Sequence, residues 1–204
     1  MKKALTIIAA CFVLFGPLSQ TPASAATDPV VIAGAIDSYW ARTFANNGDM
    51  YWSPIIVGVF DSKVTGCGFV DPWNFGPAAY CPADKHIYLS PVWFGPGTDD
   101  SFWYVALAHE WAHHIEGLLG YAASPSIESE LRSDCMAGAL LGDAVAQGYA
   151  PRTTYNGAFY LMLLLGDPDY LPAELDTHGS GADRAKSFNE GYSGGIANCN
   201  VGLS

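Results

Sequence analysis

The sequence predicts an α+β fold, mostly helical, with a small sheet over one central helix. Three observations predict it. Helix-spaced apolar residues with capping signals recur from residue 99 onward, and short β-branched runs are confined to residues 55–89. An H-E-x-x-H pattern falls inside one of the helical stretches. The chain has 204 residues, of which 50% are hydrophobic and 14% charged. That length fits one compact domain, and the hydrophobic share is too high for a disordered chain.

The elements follow in order. Asp28 to Asn47 reads as a helix, with Ile32, Ile36, Tyr39, Trp40 and Phe44 on one face and Asn46-Asn47-Gly48 as its stop. Ile55 to Phe60 reads as a buried strand. Residues 61–84 hold many glycines and prolines and read as a long loop. His86 to Leu89 is a second short strand, and Phe94 to Thr98 a turn. Asp99, Asp100 and Ser101 cap a helix running to about Leu119 and stopping at Gly120. Ser124-Pro125-Ser126 starts a further helix to about Gln147. Pro151 opens another that ends near Gly166. A loop then holds Asp167, Pro168, Asp169 and Pro172, and a last short helix covers Ala182 to Asn189.

The first 25 residues read as an export signal. Lys2 and Lys3 give a positive start, and Ala4 to Phe15 is apolar. Gly16-Pro17 breaks that stretch, and Ala23-Ser24-Ala25 is a small-residue cleavage pattern. A lipoprotein cut before Cys11 is disfavoured, because the apolar stretch continues past that cysteine. No run of eighteen apolar residues exists to cross a membrane. Residues 1–25 are thus assigned to the signal and 26–204 to a single domain, secreted or kept in the periplasm or cell envelope. Loss of Lys2 and Lys3 takes the formal charge from −11 to −13. Such acidity excludes nucleic acid and an anionic membrane surface as main partners. Four cysteines remain after the signal, an even number in an exported chain, so two disulfides are expected. The favoured pairing is Cys67–Cys81, which pins the loop, and Cys135–Cys199, which ties down the C-terminal tail. No Cys-x-x-Cys pair supports a cysteine zinc site.

The chemistry sits on two successive helices. In His109-Glu110-Trp111-Ala112-His113, residues four apart lie about 40° apart round the helix axis, so both imidazoles can hold one metal ion. Glu110, offset by one position, can reach a water on that ion. Leu107, Trp111, Ile115 and Leu118 form the apolar stripe behind, while Val105 and Ala112 are expected to leave room beside the histidines. Catalytic zinc usually takes three protein ligands and an open position. Glu130-Leu131-Arg132-Ser133-Asp134 supplies Glu130 as third ligand and Asp134 as acceptor from the far nitrogen of a ligand histidine. Glu128 is a rival ligand that lacks an aspartate four residues on.

These residues resemble the neutral zinc metallopeptidase family of bacteria, over roughly Tyr39 to Tyr192. The resemblance is carried by Cys67-Gly68, Tyr80-Cys81-Pro82-Ala83-Asp84 and Ile87-Tyr88-Leu89. It continues in Ala108-His109-Glu110 with the doubled His113-His114, and in Glu130-Leu131-Arg132-Ser133-Asp134-Cys135 with Ala137-Gly138. His178-Gly179-Ser180, Arg184, Phe188 and Gly191 complete it. It implies a zincin-like fold, a Zn²⁺ cofactor held by His109, His113 and Glu130, and a peptide or protein substrate. Family members usually carry Gly in place of Ala112 and Ala in place of Ser133.

The expected activity is hydrolysis of peptide bonds by a zinc-activated water, with Glu110 as general base and His178 as a candidate stabiliser of the oxyanion. The competing reading of His178 is a loop histidine bound to backbone. His114 points about 100° from His113, so it is assigned either support of a ligand or a purely structural role rather than ligation. His86 is expected at the surface, Arg184 in a pair with a carboxylate, and Tyr88 is a weak candidate for a cleft wall. Trp52, Trp73, Trp93 and Trp103 are expected in packing. Two alternatives stand beside the peptidase: a non-catalytic exported binding protein stabilised by zinc, and a zinc amidase acting on a non-protein amide such as cell-wall peptide.

Overall fold

The computed structural model describes residues 29–93, 98–121, 126–168 and 178–204. The proposed signal and its cleavage site, most of the Phe94–Thr98 turn, Ser124-Pro125 and the loop with Asp169 and Pro172 lie outside the described residues. So does Asp28. The first helix, α1 (Pro29–Asn47), buries the five predicted positions Ile32, Ile36, Tyr39, Trp40 and Phe44. Gly48 ends it at φ +77°, its N–H donating to the Ala45 carbonyl, and Asp49 N–H donates to Phe44.

Five short strands follow: β1 (Ile55–Gly58), β2 (Lys63–Thr65), β3 (Gly68–Val70), β4 (Ala78–Cys81) and β5 (His86–Leu89). β5 is central, parallel to β1 and antiparallel to β4, while β2 and β3 form a separate hairpin. Two expectations are corrected here. Residues 61–84 contain three strands, not only loop. Gly66 and Gly68 read as loop residues but close the hairpin turn, and Ala78-Ala79 has little strand propensity of its own; pairing with β5 supplies the order. The strand near Ile55 is not buried. As an edge strand it leaves Ile55 58% exposed, and Phe60 beyond it is 77% exposed. Val59, Cys81 and Tyr88 form a small cluster beneath the sheet.

Four helices complete the fold. α2 (Asp100–Leu118) is capped by Asp99, whose carboxylate accepts from Ser101 N–H at 2.7 Å. α3 (Ile127–Ala146) is capped by Ser126, which accepts from Ser129 N–H at 3.2 Å. α4 (Thr153–Leu164) and α5 (Gly181–Gly194) follow. The α+β expectation thus holds, and β4 lies against α2. Leu107, Trp111 and Ile115 of α2 are buried as expected, with Leu118 partly so. Trp103 is in the core, but Trp52, Trp73 and Trp93 are exposed, against expectation. They belong to the strand and turn region, where short elements give a large ring little to pack against.

α5 extends five residues beyond the predicted Asn189. Its glycines look like stops but are contact points. A Cβ on Gly191 would sit 1.9 Å from the Cys135 carbonyl oxygen, and one on Gly138 would sit 1.9 Å from that of Phe188. α3 and α5 therefore pack backbone against backbone, and the Cys135–Cys199 disulfide is anchored beside that contact. Gly191→Ala is expected to destabilise the fold by about 1–3 kcal/mol or more through overpacking against main chain that cannot yield. A denaturation midpoint equal to wild type would contradict this packing account.

Candidate metal centre

The two disulfides are those expected: Cys67–Cys81 ties the β2–β3 hairpin to the end of β4, and Cys135–Cys199 ties the tail to α3. Between these anchors, α2 and α3 bring His109, His113 and Glu130 together, all three within the same small group of metal-competent atoms. His109 Nε2 is 3.1 Å from Glu130 Oε2, and His113 Nε2 is 3.4 Å from Glu130 Oε1. The two Nε2 atoms are 3.1 Å apart. Glu128 points away, largely exposed and paired with Arg132, so the rival third ligand is ruled out of the group. Val105 and Ala112 do not line open space as expected. Both are buried.

The outer nitrogens are fixed as well. His109 Nδ1 meets Asp134 Oδ1 at 2.8 Å. His113 Nδ1 meets Glu116 Oε2 at 3.3 Å and Ser133 Oγ at 3.1 Å. A carboxylate only accepts, so each Nδ1 carries the ring proton and each Nε2 lone pair points into the group. Asp134 is fully buried and accepts from Arg184 Nε at 2.8 Å and Nη2 at 2.9 Å. Glu116 is buried and accepts from Arg132 Nε and Ser129 Oγ, each at 2.5 Å. Glu110 stands one position from His109, its Oε2 accepting the Tyr80 backbone N–H at 2.7 Å.

The donor set fits a divalent cation on three counts. A tetrahedral zinc ion with bonds of about 2.0–2.1 Å spaces its ligands about 3.3–3.4 Å apart, close to the separations found. Two imidazole lone pairs 3.1 Å apart repel unless a cation lies between them, and Glu130 Oε2 is buried with no properly aligned hydrogen-bond donor. Finally, Glu110, Glu116, Glu130 and Asp134 gather round the group, with guanidinium partners from Arg132 and Arg184 among the described residues. That leaves two negative charges, the complement of a divalent ion.

Without metal the same field draws protons. Burial opposes charge on His109, but Asp134 and Glu130 outweigh it and push the imidazole up to about 9. Burial opposes charge on His113 too, yet Glu116, Glu130 and Glu110 push it up to about 10. Burial favours the neutral acid at Glu130, but both histidines hold it far below the usual carboxylate range. Raised histidines stabilise the fold below their ordinary 6.5 and lose that contribution as pH rises through the folded values. Glu130 contributes above its ordinary 4.5 and loses that only in strong acid. The melting temperature of chelator-treated protein is therefore expected to fall from about pH 7 to pH 10. A flat profile over that range would contradict the charge balance.

The remaining expected residues find these places. His114 is buried and structural, its Nδ1 3.1 Å from Tyr80 Oη and its Nε2 2.8 Å from the Trp52 carbonyl. His86 is half-buried against Asp84 and stacked on Tyr88, and Tyr88 is buried, so neither faces the metal group. His178 is half-exposed, its backbone N–H donating to Asp167 at 2.8 Å and its ring Nδ1 3.6 Å from the same carboxylate. Sequence reasoning missed Glu116, Arg132 and the Tyr80 amide. Glu116 had a signal, since it lies three residues after His113 and shares its helix face. Arg132 and a backbone N–H gave none.

Comparisons with known proteins agree with this geometry. Residues 19–156 match the family model described as "Putative neutral zinc metallopeptidase", a stretch holding both α2 and α3. The Escherichia coli K12 protein named "Uncharacterized protein YpfJ" is 28% identical over 215 residues, covering 90% of this chain and 74% of that protein. "Uncharacterized protein Rv2575" of Mycobacterium tuberculosis H37Rv is 31% identical over 206 residues, covering 75% of this chain and 66% of its own. "Uncharacterized protein Mb2605" of Mycobacterium bovis matches to the same extent. No solved structure matches. With two-thirds of its residues inside the family model, metal group included, the chain belongs to the neutral zinc metallopeptidase family.

Proposed function

We propose that this protein is an exported zinc peptidase. The observation that carries the reading is the convergence of His109, His113 and Glu130 beside a carboxylate, Glu110, that is not part of the metal group. A purely structural site has no use for that extra carboxylate. His109, His113 and Glu130 would hold zinc, which when bound lowers the pKa of a water and polarises a substrate carbonyl. Glu110 takes the proton of the attacking water and returns it to the leaving amine. The Tyr80 N–H fixes one Glu110 oxygen and leaves the other to handle that proton. We assign His178 to the oxyanion, as a half-exposed side chain at the entry to α5, the helix that carries Arg184. Two disulfides support an exported chain.

The test is digestion of an unfolded protein, a peptide library and cell-wall peptide, each with and without chelator. Chelator-sensitive cleavage of the peptides is expected. Cleavage of the cell-wall amide alone would make the protein an amidase, and zinc binding without any hydrolysis would make it a binding protein.

A further inference from the structure

We infer that Glu116 is a positioning residue that orients His113 for metal, paired with Arg132 as Asp134 is paired with Arg184 beside His109. The inference rests on the metal reading above. The two arrangements share one plan, an outer imidazole nitrogen on a buried carboxylate that a guanidinium neutralises, although Arg184 grips Asp134 through two nitrogens and Arg132 grips Glu116 through Nε alone. On one side Asp134 gives an oxygen to His109 Nδ1 at 2.8 Å and its carboxylate to Arg184. On the other Glu116 gives Oε2 to His113 Nδ1 at 3.3 Å and Oε1 to Arg132 Nε at 2.5 Å. Each carboxylate is buried, each is neutralised by its own guanidinium, and each pairs with the ring nitrogen that faces away from Glu130. A charged acceptor there fixes the tautomer and strengthens the opposite nitrogen as a ligand.

Three features argue for orientation beyond a tie between α2 and α3. Arg132 bonding Glu116 through Oε1 would satisfy a tie, yet Oε2 is separately aimed at the imidazole. Ser129 Oγ donates to that same Oε2 at 2.5 Å and holds it there. Arg132 is itself fixed, its guanidinium 4.2 Å from the Tyr121 ring centroid and its Nη1 3.3 Å from Glu128. Such a braced carboxylate cannot drift from the ring.

The experiment measures zinc dissociation constants by chelator competition for wild type, Glu116→Gln and the charge-balanced pair Glu116→Gln with Arg132→Gln. Both variants are expected to bind zinc about 10–100-fold more weakly. The paired variant should do so even though its metal-free melting temperature returns towards wild type, because both charges of the buried Glu116–Arg132 pair are then gone. Wild-type affinity in the paired variant would reduce Glu116 to a tie and overturn the inference. Should Glu116→Gln fail to fold, the paired variant decides. A readout without substitution is nitrogen-15 resonances of zinc-loaded wild type: protons on Nδ1 of both His109 and His113 are expected, and a proton on Nε2 of His113 overturns the inference. Absence of zinc from wild type removes the metal reading and this inference with it. Zinc in wild type with unaltered variants removes the inference alone.

Discussion

Glu110→Gln is expected to lower peptide hydrolysis by about 10²–10⁴-fold while leaving zinc content unchanged. Glu110 is outside the His109–His113–Glu130 group, so its removal takes no ligand from the metal. Gln is nearly isosteric, and its carbonyl oxygen still accepts the Tyr80 N–H that holds Glu110 at 2.7 Å, so β4 stays seated on α2. What the amide lacks is the ability to take a proton at neutral pH. The loss should fall in kcat rather than KM, because the change acts on proton transfer rather than on binding. Full activity in this variant would leave the metal site standing but end the proposed role of Glu110.

Arg184→Met is expected to destabilise the metal-free protein by about 3–5 kcal/mol. Asp134 is fully buried and receives two of its hydrogen bonds from this guanidinium, at 2.8 and 2.9 Å. Without Arg184 it loses two of its donors and keeps only the His109 imidazolium as a charged partner, too little for a carboxylate with no exposure to water. Arg184 also donates to the Leu165 carbonyl at 2.9 Å, so the end of α4 loosens as well. For a chain of this size the penalty corresponds to a fall in melting temperature of roughly 6–20 °C. Adding Asp134→Asn should recover much of it, since the stranded charge is then gone. The measurement belongs in chelator, where altered metal affinity cannot contribute. A shift below about 2 °C would show that Asp134 needs no guanidinium.

Much of this was legible in the sequence because it rests on spacing. His109 and His113 lie four apart, as do Glu130 and Asp134, and helix geometry alone puts each pair on one face. Capping by Asp99 and Ser126 set where those helices begin. What escaped depended on neighbours that spacing does not name. β4 forms from alanines because β5 lies beside it. α5 runs past its glycines because α3 needs them for close approach. The Tyr80 N–H reaches Glu110 because β4 packs on α2, where His114 Nδ1 also meets Tyr80 Oη. Trp73 stands out at 73% exposure because the strand region has only the small cluster of Val59, Cys81 and Tyr88 to pack against, and Trp73 is not part of it. Hydrophobic character predicts burial only where there is something to bury against.

His113 and Glu116 show the same lesson inside the site. The interval of three was present in the sequence, but a glutamate three residues after a histidine has many uses on a helix. Ser129 and Arg132, from the next helix, turn it into a braced acceptor.

The central claim is that His109, His113 and Glu130 form one metal site. It is tested most directly by the metal content of the purified protein, measured by elemental analysis beside His113→Ala and Glu130→Ala. About one zinc ion per wild-type chain is expected, with its loss from both variants once they are dialysed against a weak chelator. Wild-type protein without zinc, or variants that keep it in full, would contradict the account.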